Sequence, residues 1–214
     1  MQRREMQALG PADAVRFLQA AQRAPLGLLF ETMLVTGMRP GEILGLRLQD
    51  CDLERGVLHV RQALVRLKGG GWSFRPPKTP KSQRPIPVPG ALAERLRAHR
   101  AAQGRERLRL GTAWQDHDLV FPGQLGQPLN WHNVSQRAFK AILADAGLPR
   151  TLRAYDLRHS MATLLLSQGE SAKVVAERLG HSTTVLTLDT YSHVIEEMQE
   201  QATSKLGAVL YGDA

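Results

Sequence analysis

The chain has 214 residues, 43% of them hydrophobic, a single cysteine and a formal net charge of +8. That is enough apolar material for one large domain, or one domain with a small appendage. No apolar run approaches the ~18 residues of a membrane span, no signal-peptide pattern opens the chain, and the lone Cys51 excludes an internal disulfide, so a reducing cytoplasm is the expected setting.

Residues 1–8 read as a flexible lead-in. Pro11 and Ala12 open a helical pattern with Val15, Phe17, Leu18 and Ala21 on one face. A second, mostly apolar helix is predicted from Leu26 to Val35, with Gly37 as its stop. Pro40 suits the first turn of a third, which carries Ile43, Leu44 and Leu46 and runs to about Leu48. From 57 to 88 the pattern changes to period two. Residues 57–62, 72–74 and 84–88 read as three strands of a small sheet, with a turn at Gly69-Gly70-Gly71. Pro85, Pro87 and Pro89 confine the last of them to an edge. Lys78 falls at or near the second turn. The remainder reads as helices over 91–109, 131–146 (N-cap Asn130, stop Gly147), 157–168, 171–179 (N-cap Ser171, stop Gly180), 183–190 and 194–206, with a long loop at 111–129. The fold class is therefore α+β, mainly α-helical with a small three-stranded antiparallel sheet.

The positive charge is concentrated. Between Arg61 and Arg84 stand seven basic residues (Arg61, Arg66, Lys68, Arg75, Lys78, Lys81, Arg84) and no acidic one. A second block, Arg95 to Arg109, holds six arginines against Glu106. Such blocks favour a surface that contacts phosphates.

Four motifs stand in order: Thr-Gly-Met-Arg-Pro-Gly-Glu at 36–42, Pro-Lys-Thr-Pro-Lys-Ser-Gln-Arg at 77–84, Tyr-Asp-Leu-Arg-His at 155–159, and Leu-Gly-His-Ser at 179–182 followed by Thr-Tyr-Ser-His at 190–193. Taken together they resemble the tyrosine recombinase (phage integrase) family, over about Leu9 to Ile195. The resemblance implies that family's catalytic-domain fold over 9–195, with 196–214 as a C-terminal helix or tail. It implies site-specific DNA recombination by metal-free strand cleavage and rejoining through a covalent 3′-phosphotyrosyl intermediate.

The chemistry suits the residue types. Charge building on the non-bridging phosphate oxygens is best met by arginine, whose planar fork stays charged and binds two oxygens together. By the resemblance, Arg39 and Arg158 form that clamp. Tyr191 supplies the nucleophilic oxygen. Lys78 protonates the leaving 5′ oxygen, with Lys81 as its rival. His181 donates a hydrogen bond to phosphate. Tyr155 occupies a position where many relatives carry His; as a phenol it is a poor base and a competent donor. This leaves the general base for Tyr191 unassigned. Glu42 is expected to buttress the site, and His159 to face the core of its helix in a supporting role. Arg61, Arg66, Lys68, Arg75, Lys81 and Arg84 are candidate DNA contacts.

No cofactor and no metal are expected, since the sequence contains neither a His-Glu-x-x-His motif nor a cysteine cluster. The expected partner is double-stranded DNA carrying a specific site, with a homo-tetramer on DNA and accessory DNA-bending proteins; no membrane partner is expected. The composition hints at a GC-rich bacterial or phage genome. Relatives usually carry a helical DNA-binding domain before the catalytic one, so a fragment of a longer integrase is expected. The tail could dock on a neighbouring protomer or on its own domain. Two alternatives stand beside recombination: a DNA-binding homologue inactive in cleavage, and a type IB topoisomerase that relaxes supercoils.

Overall fold

The computed structural model describes residues 7–77 and 79–212; Lys78 and the extreme termini lie outside the described residues. Ten α-helical segments and two small antiparallel sheets follow one another among those residues.

Helix α1 (Pro11–Arg23) starts with proline in its first turn and buries Ala14, Phe17, Ala20 and Ala21. Val15, expected on that face, is 54% exposed. Helix α2 (Gly27–Thr36) is apolar nearly all round and correspondingly central. Its two threonines are satisfied along its own axis: the Thr32 hydroxyl donates to the Leu28 carbonyl and the Thr36 hydroxyl to the Thr32 carbonyl. Gly37 ends it in the left-handed conformation. Phe17 and Phe30 both pack on Phe139, at ring-centroid distances of 5.7 and 5.2 Å, which ties α1 and α2 to the helix 131–145.

Helix α3 (Pro40–Leu44) is shorter than expected: Arg47 bridges to Leu119, and a 3-10 turn follows over Leu48–Asp50. The strands are also arranged differently from the sequence expectation. β1 (Cys51–Asp52), β2 (Val57–Val60) and β5 (Arg84–Pro87) form a three-stranded sheet in the order β1-β2-β5, with Leu58 opposite Ile86. β3 (Ala63–Arg66) and β4 (Trp72–Arg75) make a separate hairpin, so the segment 72–74 is not part of the first sheet. The reason lies in α3. Gly41 and Gly45 stack on one helix face, and a side chain there would come within 2.8 Å of the Leu64 carbonyl oxygen and 2.9 Å of its nitrogen. The two glycines let the β3 backbone lie directly on α3. β5 pairs on one side only, where Pro85 and Pro87 are tolerated.

Helix α4 (Gly90–Leu110) is buried along its first half, through Leu92, Ala93 and Leu96. Its arginines are largely committed internally: Arg95 to Glu31, Arg97 to the Leu53 carbonyl, Arg107 to Asp116 and Arg109 to Glu106. The loop 111–129 is anchored by the buried Leu119, Val120 and Phe121.

Trp131–Asn133 (α5), a π turn at Val134–Ala138 and Phe139–Asp145 (α6) run on continuously, capped by the Asn130 side chain, which accepts from the His132 and Asn133 amides. Then come α7 (Asp156–Ser167), α8 (Ala172–Leu179), α9 (Thr184–Thr190) and α10 (Ser192–Tyr211). Ser171 caps α8 as expected and Gly180 ends it. α7 packs on α2 on one side; with α8 and the start of α10 it encloses a second, smaller core of Met161, Ala162, Leu166, Val175, Leu179, Tyr191 and Val194. Beyond Val194 the tail leaves Leu206, Val209, Leu210 and Tyr211 exposed. The side chains of Ile195, Glu196, Glu197, Met198 and Glu200, expected to give that helix its two faces, lie outside the described set.

Candidate active site

Arg39 is the N-cap residue of α3 and Glu42 stands three positions into the helix. The Glu42 carboxylate accepts the Arg39 amide at 2.9 Å and the Arg39 guanidinium at 2.8 Å. This local pairing holds the Arg39 side chain at the cleft edge, where it is 36% exposed. Glu42 is buried and has a second cation, Arg84, at 3.0 Å. Burial pushes the Glu42 carboxyl upward, but Arg84 and then Arg39 outweigh it and hold it below the ordinary carboxylate range.

Arg84 was expected on the DNA-facing surface. It is instead 7% exposed, and it donates to Glu42 and to the carbonyls of Arg178 and Ser82. A guanidinium so enclosed is structural: it joins β5 to the end of α8 and to α3.

Arg158, on α7, is 2% exposed. It donates to the Gly37 carbonyl at 2.6 Å and the Leu179 carbonyl at 2.7 Å. Both acceptors belong to helix C-terminal ends, where carbonyls lack intrahelical partners and the helix dipole is negative. That is how a fully enclosed arginine is kept charged, although burial and the neighbouring Arg39 lower its pKa to about 10. Arg39 reaches the next carbonyl, that of Gly180, at 3.5 Å. The last turn of α8 thus offers the successive carbonyls of residues 178, 179 and 180 to Arg84, Arg158 and Arg39.

Gly180 has φ 65°, and a side chain there would meet the Arg84 guanidinium at 2.9 Å. The turn it makes presents His181, whose Nδ1 lies 2.7 Å from the Thr187 hydroxyl of α9. Burial, then Arg158, Arg39 and Arg84, pushes His181 down to about 4, so the ring is neutral at pH 7.

Tyr191 sits between α9 and α10, 2% exposed. Its hydroxyl lies 3.0 Å from Nδ1 of His159. Burial raises its pKa to about 12, against a smaller opposing pull from Arg158. The sequence expectation turned His159 to the core of its own helix; the structure turns it to Tyr191. Four residues before His159 on the same helical face, Tyr155 sets its ring edge-on to the imidazole at 5.3 Å and remains 38% exposed.

On the hairpin side, Lys78 lies outside the described residues. Lys81 donates to the Ser182 carbonyl at 2.9 Å, next to His181. A cleft of about 430 Å³ is lined by Arg39, Glu42, Leu64, Pro77, His181 and Ser182. Arg66, Lys68 and Arg75 are exposed on or beside the β3–β4 hairpin. Arg61 lies outside that hairpin and pairs with Asp50 at 3.4 Å. Among the described residues no three His, Cys, Asp or Glu side chains are grouped to hold a metal ion. Reading the sequence missed Arg178, Thr187 and the three α8 carbonyls. The Leu-Gly-His step was their one visible sign, because a glycine at a helix end marks exposed carbonyls.

The phage integrase family profile matches residues 7–198. The chain belongs to that family. Among phage integrase relatives, a tyrosine recombinase XerC-like protein of Caldanaerobacter subterraneus subsp. tengcongensis is 30% identical over 213 residues, covering 94% of this chain and 54% of the relative. An integrase of Streptomyces ambofaciens is 32% identical over 202 residues, covering 88% and 49%. The chain spans about half the length of the curated relatives it matches. The fold agrees: the Tn1549 transposon integrase, solved in complex with transposon right end DNA, superposes with a TM-score of 0.75 at 24% identity, over 94% of this chain and 68% of that one. The catalytic domain of bacteriophage HP1 integrase superposes at 0.57 and 19% identity, over 97% and 95%. A mainly helical α+β domain with a small antiparallel sheet is thus the phage integrase catalytic fold.

Proposed function

We propose that residues 9–195 are the catalytic unit of a site-specific DNA recombinase that cuts and rejoins DNA through Tyr191, with 196–214 as its tail. One observation carries the reading: Arg39, Arg158, His181 and Tyr191, drawn from three segments of the chain, share one electrostatic neighbourhood. Two guanidiniums, a neutral imidazole and a phenol suit an in-line displacement at a phosphodiester without a metal.

DNA enters from the side where Arg39 and Tyr155 reach solvent. Arg39 and Arg158 neutralise the non-bridging oxygens, and the positive charge that depresses His181 is offset once a phosphate is bound. With the Thr187 hydroxyl donating to Nδ1, His181 carries its proton on Nε2 and donates it to a phosphate oxygen. Tyr155 donates a further hydrogen bond. The Tyr191 oxygen forms a bond to phosphorus as the bond to O5′ breaks. The leaving oxygen takes a proton from Lys78, with Lys81 as its rival. The products are a 3′-phosphotyrosyl linkage and a free 5′-hydroxyl. Attack by another 5′-hydroxyl reverses the steps, so the energy of the broken bond is retained in the protein–DNA link. The basic hairpin residues Arg66, Lys68 and Arg75 support the duplex through its phosphates. Exchange between two sites requires several copies on DNA, for which a homo-tetramer, with DNA-bending accessory proteins, is the assembly we favour.

A nicked suicide duplex tests this. Cleavage next to the nick releases a short fragment and traps the protein covalently. A pool of such duplexes with randomised sequence serves where the cognate site is unknown. The expected result is a covalent adduct with the wild-type chain and none with Tyr191→Phe. No adduct in either case would mean a DNA-binding homologue without cleavage, and relaxation of a random plasmid would mean a topoisomerase.

A further inference from the structure

Tyr191 must lose its proton to attack phosphorus, and burial has made that proton harder to remove. Among the described residues, three Tyr or His side chains of the site contain an atom able to take it. Tyr155 is a phenol and a poor base. His181 has its Nδ1 engaged by Thr187 at 2.7 Å. His159 places Nδ1 3.0 Å from the Tyr191 hydroxyl, within the reach of a general base. We propose that His159 is the group that accepts the Tyr191 proton during cleavage and returns it during rejoining. The inference rests on the strand-cleavage reading above.

The direction of the hydrogen bond follows from acid strength. Of the two neutral groups the phenol is the stronger acid and the ring nitrogen the stronger base, so the hydroxyl donates and Nδ1 accepts. The imidazole then carries its own proton on Nε2. His159 is half-buried, and burial keeps it neutral at pH 7, as a base must be. The charged groups around it are Asp156, which raises its proton affinity, and Arg158 and Arg153, which lower it. Helical geometry makes the arrangement. Tyr155, Arg158 and His159 stand at i, i+3 and i+4, so one turn of α7 carries the phosphate clamp and the base side by side. Tyr155 closes the outer face of the imidazole.

The step balances. The Tyr191 oxygen–phosphorus bond forms and the phosphorus–O5′ bond breaks. The phenolic proton moves to Nδ1, giving an imidazolium, and O5′ takes its proton from the lysine. The imidazolium faces a phosphate that brings its own negative charge. Rejoining reverses every transfer, and His159 ends neutral.

The test follows single-turnover adduct formation on the pool of randomised nicked duplexes, for the wild type and His159→Gln, across pH. Glutamine keeps a hydrogen-bonding side chain but does not titrate. The expected result is a rate about 10²–10⁴-fold lower in His159→Gln. The wild-type rate should rise with pH through the depressed His159 pKa and then level, and that limb should vanish in the variant. Replacing Tyr191 by a fluorinated, more acidic tyrosine should recover much of the lost rate. Nitrogen NMR of His159 supplies a readout independent of activity: Nδ1 unprotonated in the wild type, altered in Tyr191→Phe. If His159→Gln keeps both the wild-type rate and its pH profile, or NMR finds Nδ1 protonated, His159 is not the base. A wild-type adduct alongside either result leaves the cleavage reading intact, whereas a wild type that forms none overturns both. Should His159→Gln fail to fold, the wild-type pH profile and NMR tautomer still decide.

Discussion

Arg158 donates to the Leu179 carbonyl at 2.7 Å, from a position that is 2% exposed. The carbonyls on either side of Leu179 serve Arg84 and Arg39. One helix terminus therefore aligns three guanidiniums, and the glycine that ends it sets their spacing. Gly180→Ala should expose this: it puts a side chain at φ 65° and within 2.9 Å of the Arg84 guanidinium. We expect a loss of about 1–3 kcal/mol in stability, read by urea unfolding, and a larger relative loss of adduct formation at a matched folded fraction. An unchanged unfolding midpoint would show that α8 tolerates another ending.

Arg84 and Glu42 are buried together, with side chains 5% and 4% exposed. Removing one leaves the other charge without its partner. Arg84→Ala should cost about 3–5 kcal/mol, and Glu42→Gln should be destabilising in the same direction. DNA affinity, measured on the folded fraction, should change little for Arg84→Ala. A pure loss of DNA affinity at unchanged stability would restore the surface reading that the sequence suggested.

Acid should destabilise this domain earlier than carboxylates alone predict. The unfolded chain takes up a proton at a histidine near pH 6.5, whereas folded His181 resists until about 4. In that window the unfolded state binds more protons, so stability rises with pH. It is complete above about 6.5 and is lost as pH falls toward about 4. Because His181 is only half-buried, solvent screening reduces its contribution to about 1–2 kcal/mol. His159, also depressed, acts in the same sense. Glu42, held low by Arg84 and Arg39, extends the loss below the ordinary carboxylate range. Unfolding midpoints taken across this range should fall steadily for the wild type and less for His181→Gln. Equal slopes would remove His181 from the account.

The hairpin carries the exposed cations Arg66, Lys68 and Arg75. If they meet phosphates, each substitution to Ala should weaken binding to any duplex and lower the salt slope by about 1. Arg84→Ala should leave that slope unchanged. Fluorescence anisotropy on a random-sequence duplex over a salt series measures both. Slopes unaffected by the hairpin substitutions would place the DNA elsewhere.

Much of this was legible in the residues. Gly37, Ser171 and Gly180 mark helix ends because capping and left-handed turns need those residue types locally. Arg39, Arg158, His181 and Tyr191 stood out because the chemistry needs a clamp, a donor and a nucleophile, and the motifs bearing them follow in order. The sheet was less legible. Period-two alternation identified strand-like segments, but their partners depended on Gly41 and Gly45 receiving the β3 backbone. Arg84 shows the same limit. Its sequence neighbours are basic and polar, and its burial comes from Glu42 and the Arg178 carbonyl, which are distant in the chain.

The sequence by itself determined the family and the approximate place of most helices, because these rest on motif order and local propensity, and it supplied the residue types on which the proposed phosphodiester chemistry draws. Only the tertiary structure decided which cations face solvent, which carbonyls hold Arg158, and that His159 meets Tyr191. Those outcomes depend on contacts between groups far apart in the chain, 121 residues for Arg158 and Gly37 and 141 for Arg39 and Gly180. Burial and a partner's distance set the charge state of each group, and neither quantity is written in the order of residues.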